Sequence, residues 1–296
     1  MSATRTKEYL IDEGFSVASC LSRLKKIYLS LRPAEKKVAD YVMANGQRVI
    51  YQSITDLAAV TETSDATIIR FCRLLGYSGY QELKIALARE LVAPSKHIHE
   101  DINPADDLGT AVRKAFQANM QAIGDTLGIL DIEALAKAID AILNSRQINI
   151  YGIGVSGLTA QDLYYKLLRI GISSQVYTEA HMQAVSTALL TQDDVVVGIS
   201  HSGSTKDIVD TLEMAKAQGA KIICITNHSR SPVAKLADIL LLTAAEETPF
   251  GSGGMPSMMA QLCVIDALFV GLSLRRYDQA VEFIERTGET VKKKKY

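Results

Sequence analysis

Two short segments join glycine to hydroxyl side chains directly after apolar runs. Tyr151-Gly-Ile-Gly-Val-Ser-Gly157 follows Gln147-Ile-Asn-Ile150, and Ser200-His-Ser-Gly-Ser-Thr205 follows Val195-Val-Val-Gly-Ile199. Glycine lets backbone approach a ligand, and hydroxyls supply donors. A helix opening after such a loop adds unpaired N–H groups and the positive end of its dipole. The chemistry is anion recognition. Glycines 152, 154 and 157 also satisfy G-x-G-x-x-G, with Glu179 at the distance of a ribose-binding acid. A dinucleotide site needs one such loop, however, and leaves Ser200–Thr205 without a role. No Lys directly follows Gly203, which excludes a Walker loop, and G-x-S-x-G is not met, which excludes a hydrolase elbow. Taken together, Gly152, Gly154 and Ser156 form one wall of a pocket. Ser200, Ser202, Gly203, Ser204 and Thr205 form the other. Two Ser-bearing loops suit a compact phosphorylated ligand.

Glu179 and His181 follow the next predicted strand. They could bind sugar hydroxyls or move a proton; equally, Glu179 could cap the helix that follows. His201 and His228 are expected to face solvent or hold loops. Nearer the N-terminus, Ser64 opens a helix on which Thr67 and Arg70 are three apart, on a face expected to lie away from Ile68, Phe71 and Leu75. Arg can grip guanine in the major groove and Thr can meet a thymine methyl, while Arg73 and Lys84 suit phosphates. A helical dimerisation module with solvated charges is the competing reading of these helices.

The elements that position these residues follow from periodicity. Residues 20–92 read as all-helical. Pro33 opens one helix, expected to stop at Gly46, and Ser53-Ile-Thr-Asp56 is a capping-box start. Thr61–Ser64 is a four-residue turn into a helix that Gly76 ends, which makes a helix-turn-helix pattern. Residues 93–110 lose periodicity and gather Pro, Asp and Gly, as a linker does. Residues 111–296 begin with two helices. Five apolar runs (147–151, 174–178, 195–199, 221–225 and 238–242) then alternate with helical ones before a closing helix over 256–276. That alternation predicts an α/β domain with a parallel sheet flanked by helices.

Bulk properties narrow the classes further. A net charge of −1 over 296 residues gives the whole molecule no electrostatic reason to bind nucleic acid or membrane. Residues 1–93 are nevertheless slightly basic and the remainder slightly acidic. Cys20, Cys72, Cys224 and Cys263 are widely spaced, as free thiols in a reducing cytosol would be. Val17–Cys20 looks like a lipoprotein box, but Glu8, Asp12 and Glu13 occupy the place of its apolar core. The run Met255–Leu274 carries Gln261 and Asp266, which favours a buried helix over a membrane span. His97 and His99 have no carboxylate or thiol partners at ligand spacing, so no metal is expected.

Two resemblances join these readings. The stretch SITDLAAVTETSDATIIRFCRLLGYSGYQELKIALARE resembles the N-terminal domain of RpiR-type transcriptional regulators, on Ser64, Thr67, Arg70-Phe71, Leu75-Gly76 and Gly79 to Lys84. Residues 130–275 resemble the sugar isomerase (SIS) domain, whose Ser-x-Ser-Gly-x-Thr motif falls on Ser200, Ser202, Gly203 and Thr205. The resemblance implies phosphate contacts from those hydroxyls and Ser156, with Glu246 or Glu247 near the sugar. Gly251 and Met258 stand where many relatives carry basic residues. The implied protein is a cytoplasmic, non-enzymatic regulator binding double-stranded operator DNA, modulated by a sugar phosphate effector. A homodimer or homotetramer without cofactor is expected. The alternative is an aldose–ketose phosphate isomerase using Glu246 or Glu247 with His181 as acid–base groups.

Overall fold

Side-chain caps set the helix boundaries in the first third of the chain. The computed structural model describes residues 20–91, 102, 105–245, 254–292 and 294. Helix α1 (Cys20–Ile27) leads through a 3-10 turn (Tyr28–Ser30) into α2 (Pro33–Val49), α3 (Ile54–Val60), α4 (Asp65–Leu74) and α5 (Tyr80–Leu91). Ser53 and Asp56 form the capping box of α3, and Ser64 Oγ accepts from Thr67 N to cap α4. Gly46 does not stop α2. The helix departs from helical geometry at Asn45 and continues to Val49 with Gly46 buried inside it. Val38, Val42, Leu57, Ile68, Phe71, Leu83 and Leu87 close one apolar core for this helical unit.

The remaining elements are α6 (Leu108–Ile129), α7 (Ile132–Leu143), β1 (Ile148–Gly152), α8 (Val155–Arg169), β2 (Gln175–Tyr177), α9 (Ala180–Thr187) and β3 (Val195–Ile199). Then come α10 (Lys206–Ala217), β4 (Lys221–Thr226), α11 (Pro232–Leu236), β5 (Ile239–Leu242), α12 (Met255–Arg275) and α13 (Tyr277–Lys292). Asp107 caps α6, so the last residues of the expected linker are helical. Helix α13 is a separate element that the apolar pattern did not announce: Ala280 is its buried residue.

Among the described residues, five parallel strands form one sheet in the order β2-β1-β3-β4-β5, with Gly152 paired to Ile199 at the C-terminal ends of β1 and β3. Strands β1 and β3 are buried throughout, which explains the apolar run of β3; in β1 the buried Asn149 donates to Tyr151 Oη at 3.0 Å. Helices α7, α8 and α12 cover one face of the sheet, and α10 and α11 the other. The chain leaves β1 toward one edge and β3 toward the other. The crevice between their C-terminal ends is therefore the topological switch point, where open α/β sheets bind ligands. Helix α12 is long and apolar enough to cross a membrane, yet Ala260, Val264, Ile265, Leu268 and Leu272 bury one face of it in this domain.

Candidate functional site

The two glycine–hydroxyl loops lie on either side of that switch point. Gly152 ends β1, where a Cβ would press into the backbone carbonyl of Ser156, so the loop can turn tightly only with glycine there. Gly154 is the N-cap of α8 at φ +62°, with open space where a side chain would be. Helices α6, α7, α9 and α11 of this unit are capped by Asp107, Asp131, Glu179 and Ser231. Helices α8, α10 and α12 have no side-chain cap. The N-termini of α8 and α10 thus reach the crevice with backbone donors that no side chain takes.

The second loop is folded by its own hydroxyls. Ser200 Oγ lies 3.2 Å from Thr205 Oγ1, and Ser204 donates both its N–H and its hydroxyl to Ser202 Oγ, at 3.3 and 3.2 Å. Thr205 is the N-cap of α10 but spends no side-chain bond on capping. The serine surplus is therefore not explained by helix capping. Gly203, at φ +60°, sits against buried Ser231 and Thr226 and receives Val233 N on its carbonyl.

Ser156 is buried at the start of α8, where its Oγ accepts from Gln261 Nε2 at 3.2 Å. The periodicity showed Gln261 only as a polar break in an apolar helix. Gln183 is a second buried amide: its Nε2 donates to the carbonyl of Tyr177 at 2.9 Å, and its Oε1 lies 3.4 Å from Thr211 Oγ1. Glu179 caps α9. Its two oxygens accept from His181 N at 2.8 Å and Met182 N at 3.0 Å, and these bonds hold its carboxyl below the usual carboxylate range. Of the two readings for Glu179, the cap is the one present. His181 is exposed beside it. Glu246, Glu247 and Gly251 lie outside the described residues; Met258 is in the first turn of α12.

On α4, Ser64 and Arg73 are exposed, and Arg70 is 48 % exposed. The Nε of Arg70 bonds Glu35 Oε1 at 2.7 Å, and Glu35 is buried. The Arg32 backbone N–H and Arg70 together keep the Glu35 carboxyl below its ordinary range. This pins one edge of the guanidinium while the side chain stays on the surface. Thr67 does not share that surface. It lies four residues before Phe71, on the inward row, and is buried with its Oγ1 3.0 Å from Ser64 Oγ.

Lys84 also departs from expectation. It lies along the Tyr80 ring, donates to the Gln52 carbonyl at 3.3 Å, and is buried enough to bring its pKa down to about 8. The reason is contact between the helical unit and the sheet unit. His228 Nδ1 lies 3.4 Å from Asp56 Oδ2 on α3, and Lys235 Nζ lies 3.9 Å from Asp65 Oδ2 at the start of α4. His201, from the second loop, meets the His228 ring with centroids 6.0 Å apart. Burial, His228 and Lys84 push the His201 pKa down to about 3. These histidines therefore do not face solvent; they line the contact. Among the described residues, no group of His, Cys, Asp and Glu could hold a metal ion.

Comparison with known proteins agrees with this two-part architecture. Residues 18–94 match the model of the rpiR-family helix-turn-helix domain, and residues 141–271 that of the SIS domain. An uncharacterised HTH-type transcriptional regulator of Caldanaerobacter subterraneus is 39 % identical over 275 residues, covering 93 % of this chain and 98 % of that one. The HTH-type transcriptional regulator RpiR of Escherichia coli is 34 % identical, with 87 % of each chain covered. Among solved structures, the NanR protein of Vibrio vulnificus complexed with ManNAc-6P superposes with a TM-score of 0.82 at 28 % identity, covering 92 % of this chain and 98 % of that one.

Proposed function

Because the chain belongs to the RpiR family of helix-turn-helix transcriptional regulators, we propose that its operator affinity is set by a sugar phosphate held in the β1–β3 crevice. One observation carries this reading. The uncapped N-termini of α8 and α10, with Ser156 and the Ser200–Thr205 hydroxyls, converge on the switch point of the sheet. An anion there gains backbone donors, hydroxyl donors and two helix dipoles at once. The ManNAc-6P carried by the NanR relative makes an amino-sugar 6-phosphate the first class to try. Gly152, Gly154 and Gly203 would shape the cradle, with Glu246 or Glu247 and His181 toward the sugar.

On the DNA side, Arg70 is the base-reading side chain, already oriented by Glu35, with Ser64 and Arg73 on the phosphates. The effector loop and the operator domain adjoin through His201, Lys84, His228 and Asp56, so a ligand that shifts the loop acts directly beside α3 and α4. It changes DNA affinity only as far as it binds the two conformational states unequally.

The protein works as a cytoplasmic homodimer or homotetramer, without turnover of its ligand. Leu108, Val112, Phe116 and Met120 form an exposed apolar stripe on α6 that supports self-association. The test is a thermal-shift screen of hexose and amino-sugar 6-phosphates beside their unphosphorylated sugars. A ligand at about 100 times its Kd adds about 2.7 kcal/mol. Stabilisation by phosphorylated sugars alone is expected. No response across the panel refutes the effector assignment, and conversion of an aldose to a ketose phosphate moves the protein to the isomerases.

A further inference from the structure

Gln261 is 1 % exposed inside the long apolar helix α12, where an amide is costly unless both its ends are bonded. Both are. Its Nε2 donates to Ser156 Oγ at 3.2 Å, and its Oε1 lies 2.9 Å from Thr159 Oγ1, whose single proton is shared between that oxygen and the Ser156 carbonyl, also at 2.9 Å. Thr159 is fully buried. Helices α8 and α12 run side by side here, joined again further along by Lys166 and Asp266 at 2.8 Å. The amide thus sits between the start of α8 and α12.

A serine hydroxyl has one proton and can accept as well as donate. With its oxygen accepting from Gln261, the proton of Ser156 remains to donate elsewhere. We propose that Gln261 is a positioning residue for the effector: it holds Ser156 as a hydrogen-bond donor and so tunes the crevice for an acceptor-only anion such as a phosphate group. Gln261 touches no ligand itself and acts through Ser156. The inference rests on the crevice reading of the preceding section, and its test separates the two.

The probe is inorganic phosphate, which carries no sugar contacts, titrated by thermal shift at constant ionic strength. Wild type, Ser156→Ala, Gln261→Met and the double variant are compared. Ser156→Ala should weaken saturable phosphate binding by about tenfold, the loss of one charge-assisted hydrogen bond. Gln261→Met, similar in length and unable to donate, should weaken it several-fold alone but change it less than about twofold in the Ser156→Ala background, because both act through one hydroxyl. A purely structural role for Gln261 predicts equal losses in the two backgrounds.

Gln261→Leu covers the case in which the methionine variant melts too early to titrate. It also lacks a donor for Ser156, so phosphate binding should again fall several-fold. Wild-type binding by Gln261→Leu overturns the proposal, as does an undiminished Gln261→Met effect without Ser156. If Ser156→Ala itself binds phosphate like wild type, the crevice assignment of Ser156 fails first and takes the inference with it.

Discussion

Replacing Gly203 by alanine perturbs the effector loop at its tightest point. Gly203 has φ +60°, which costs a non-glycine residue about 1–2 kcal/mol. The new Cβ would overlap Ser231 and stand 2.8 Å from Thr226 Oγ1. Neither neighbour can yield freely: both are fully buried, Ser231 caps α11, and Thr226 Oγ1 donates to the His201 carbonyl at 3.1 Å. Overpacking of this kind costs about 1–3 kcal/mol. Reduced freedom of the unfolded chain offsets about 0.4–1 kcal/mol, so the net loss is about 1–4 kcal/mol. At about 2–4 °C per kcal/mol for a domain of this size, the sheet domain should melt roughly 2–16 °C lower. A loop that escapes the strain by moving outward should instead keep its Tm and lose its response to sugar phosphate. Calorimetry with and without ligand distinguishes the two. A variant that melts within a degree of wild type and binds ligand unchanged would show that the loop is not seated as described.

The DNA-binding face makes two separable predictions. Arg70→Ala should cost roughly 1–3 kcal/mol of operator affinity, relax base preference, and also destabilise the helical unit by leaving Glu35 without its ion pair; unchanged anisotropy titrations would remove Arg70 from the interface. Arg73→Ala should weaken binding evenly across sequences and lower the salt slope by about one unit. An altered base preference would contradict its phosphate role. Acid should loosen the contact between the two units. His201 has a folded pKa of about 3, below its unfolded value near 6.5. The unfolded chain therefore binds more protons between those values, and stability is complete above pH 6.5 and falls as pH drops toward 3. His201→Gln should flatten that part of the pH–Tm curve; an identical slope in the variant would mean that the imidazole is not held neutral.

Much of this was readable from residue types because local chemistry decides it. Ser53, Ser64 and Pro33 mark helix starts by supplying or omitting particular bonds, and the Val-rich run of β3 marks a strand buried on both faces. The crevice was legible for the same reason, since glycine and serine clusters at strand ends have few other uses. What escaped was set by tertiary contact. Thr67 and Lys84 look like surface polar residues in a helical repeat. Packing beside Phe71 and beneath the sheet unit's His201 and His228 turns both inward. Gly46 has the look of a helix stop, but the kink at Asn45 lets α2 run on into the core. Glu179 kept two readings open until the two backbone N–H groups it accepts from were in view.

Occupation of one crevice should control one DNA-reading face. An operator selected from random-sequence duplexes allows a direct measurement: operator affinity by fluorescence anisotropy, with and without the strongest sugar phosphate from the screen, in wild type and Ser202→Ala. Wild-type affinity should shift by at least about fivefold, in the range of allosteric couplings. In Ser202→Ala, operator affinity without ligand should equal that of wild type, and the shift at the same ligand concentration should disappear. An equal shift in both proteins would contradict that control.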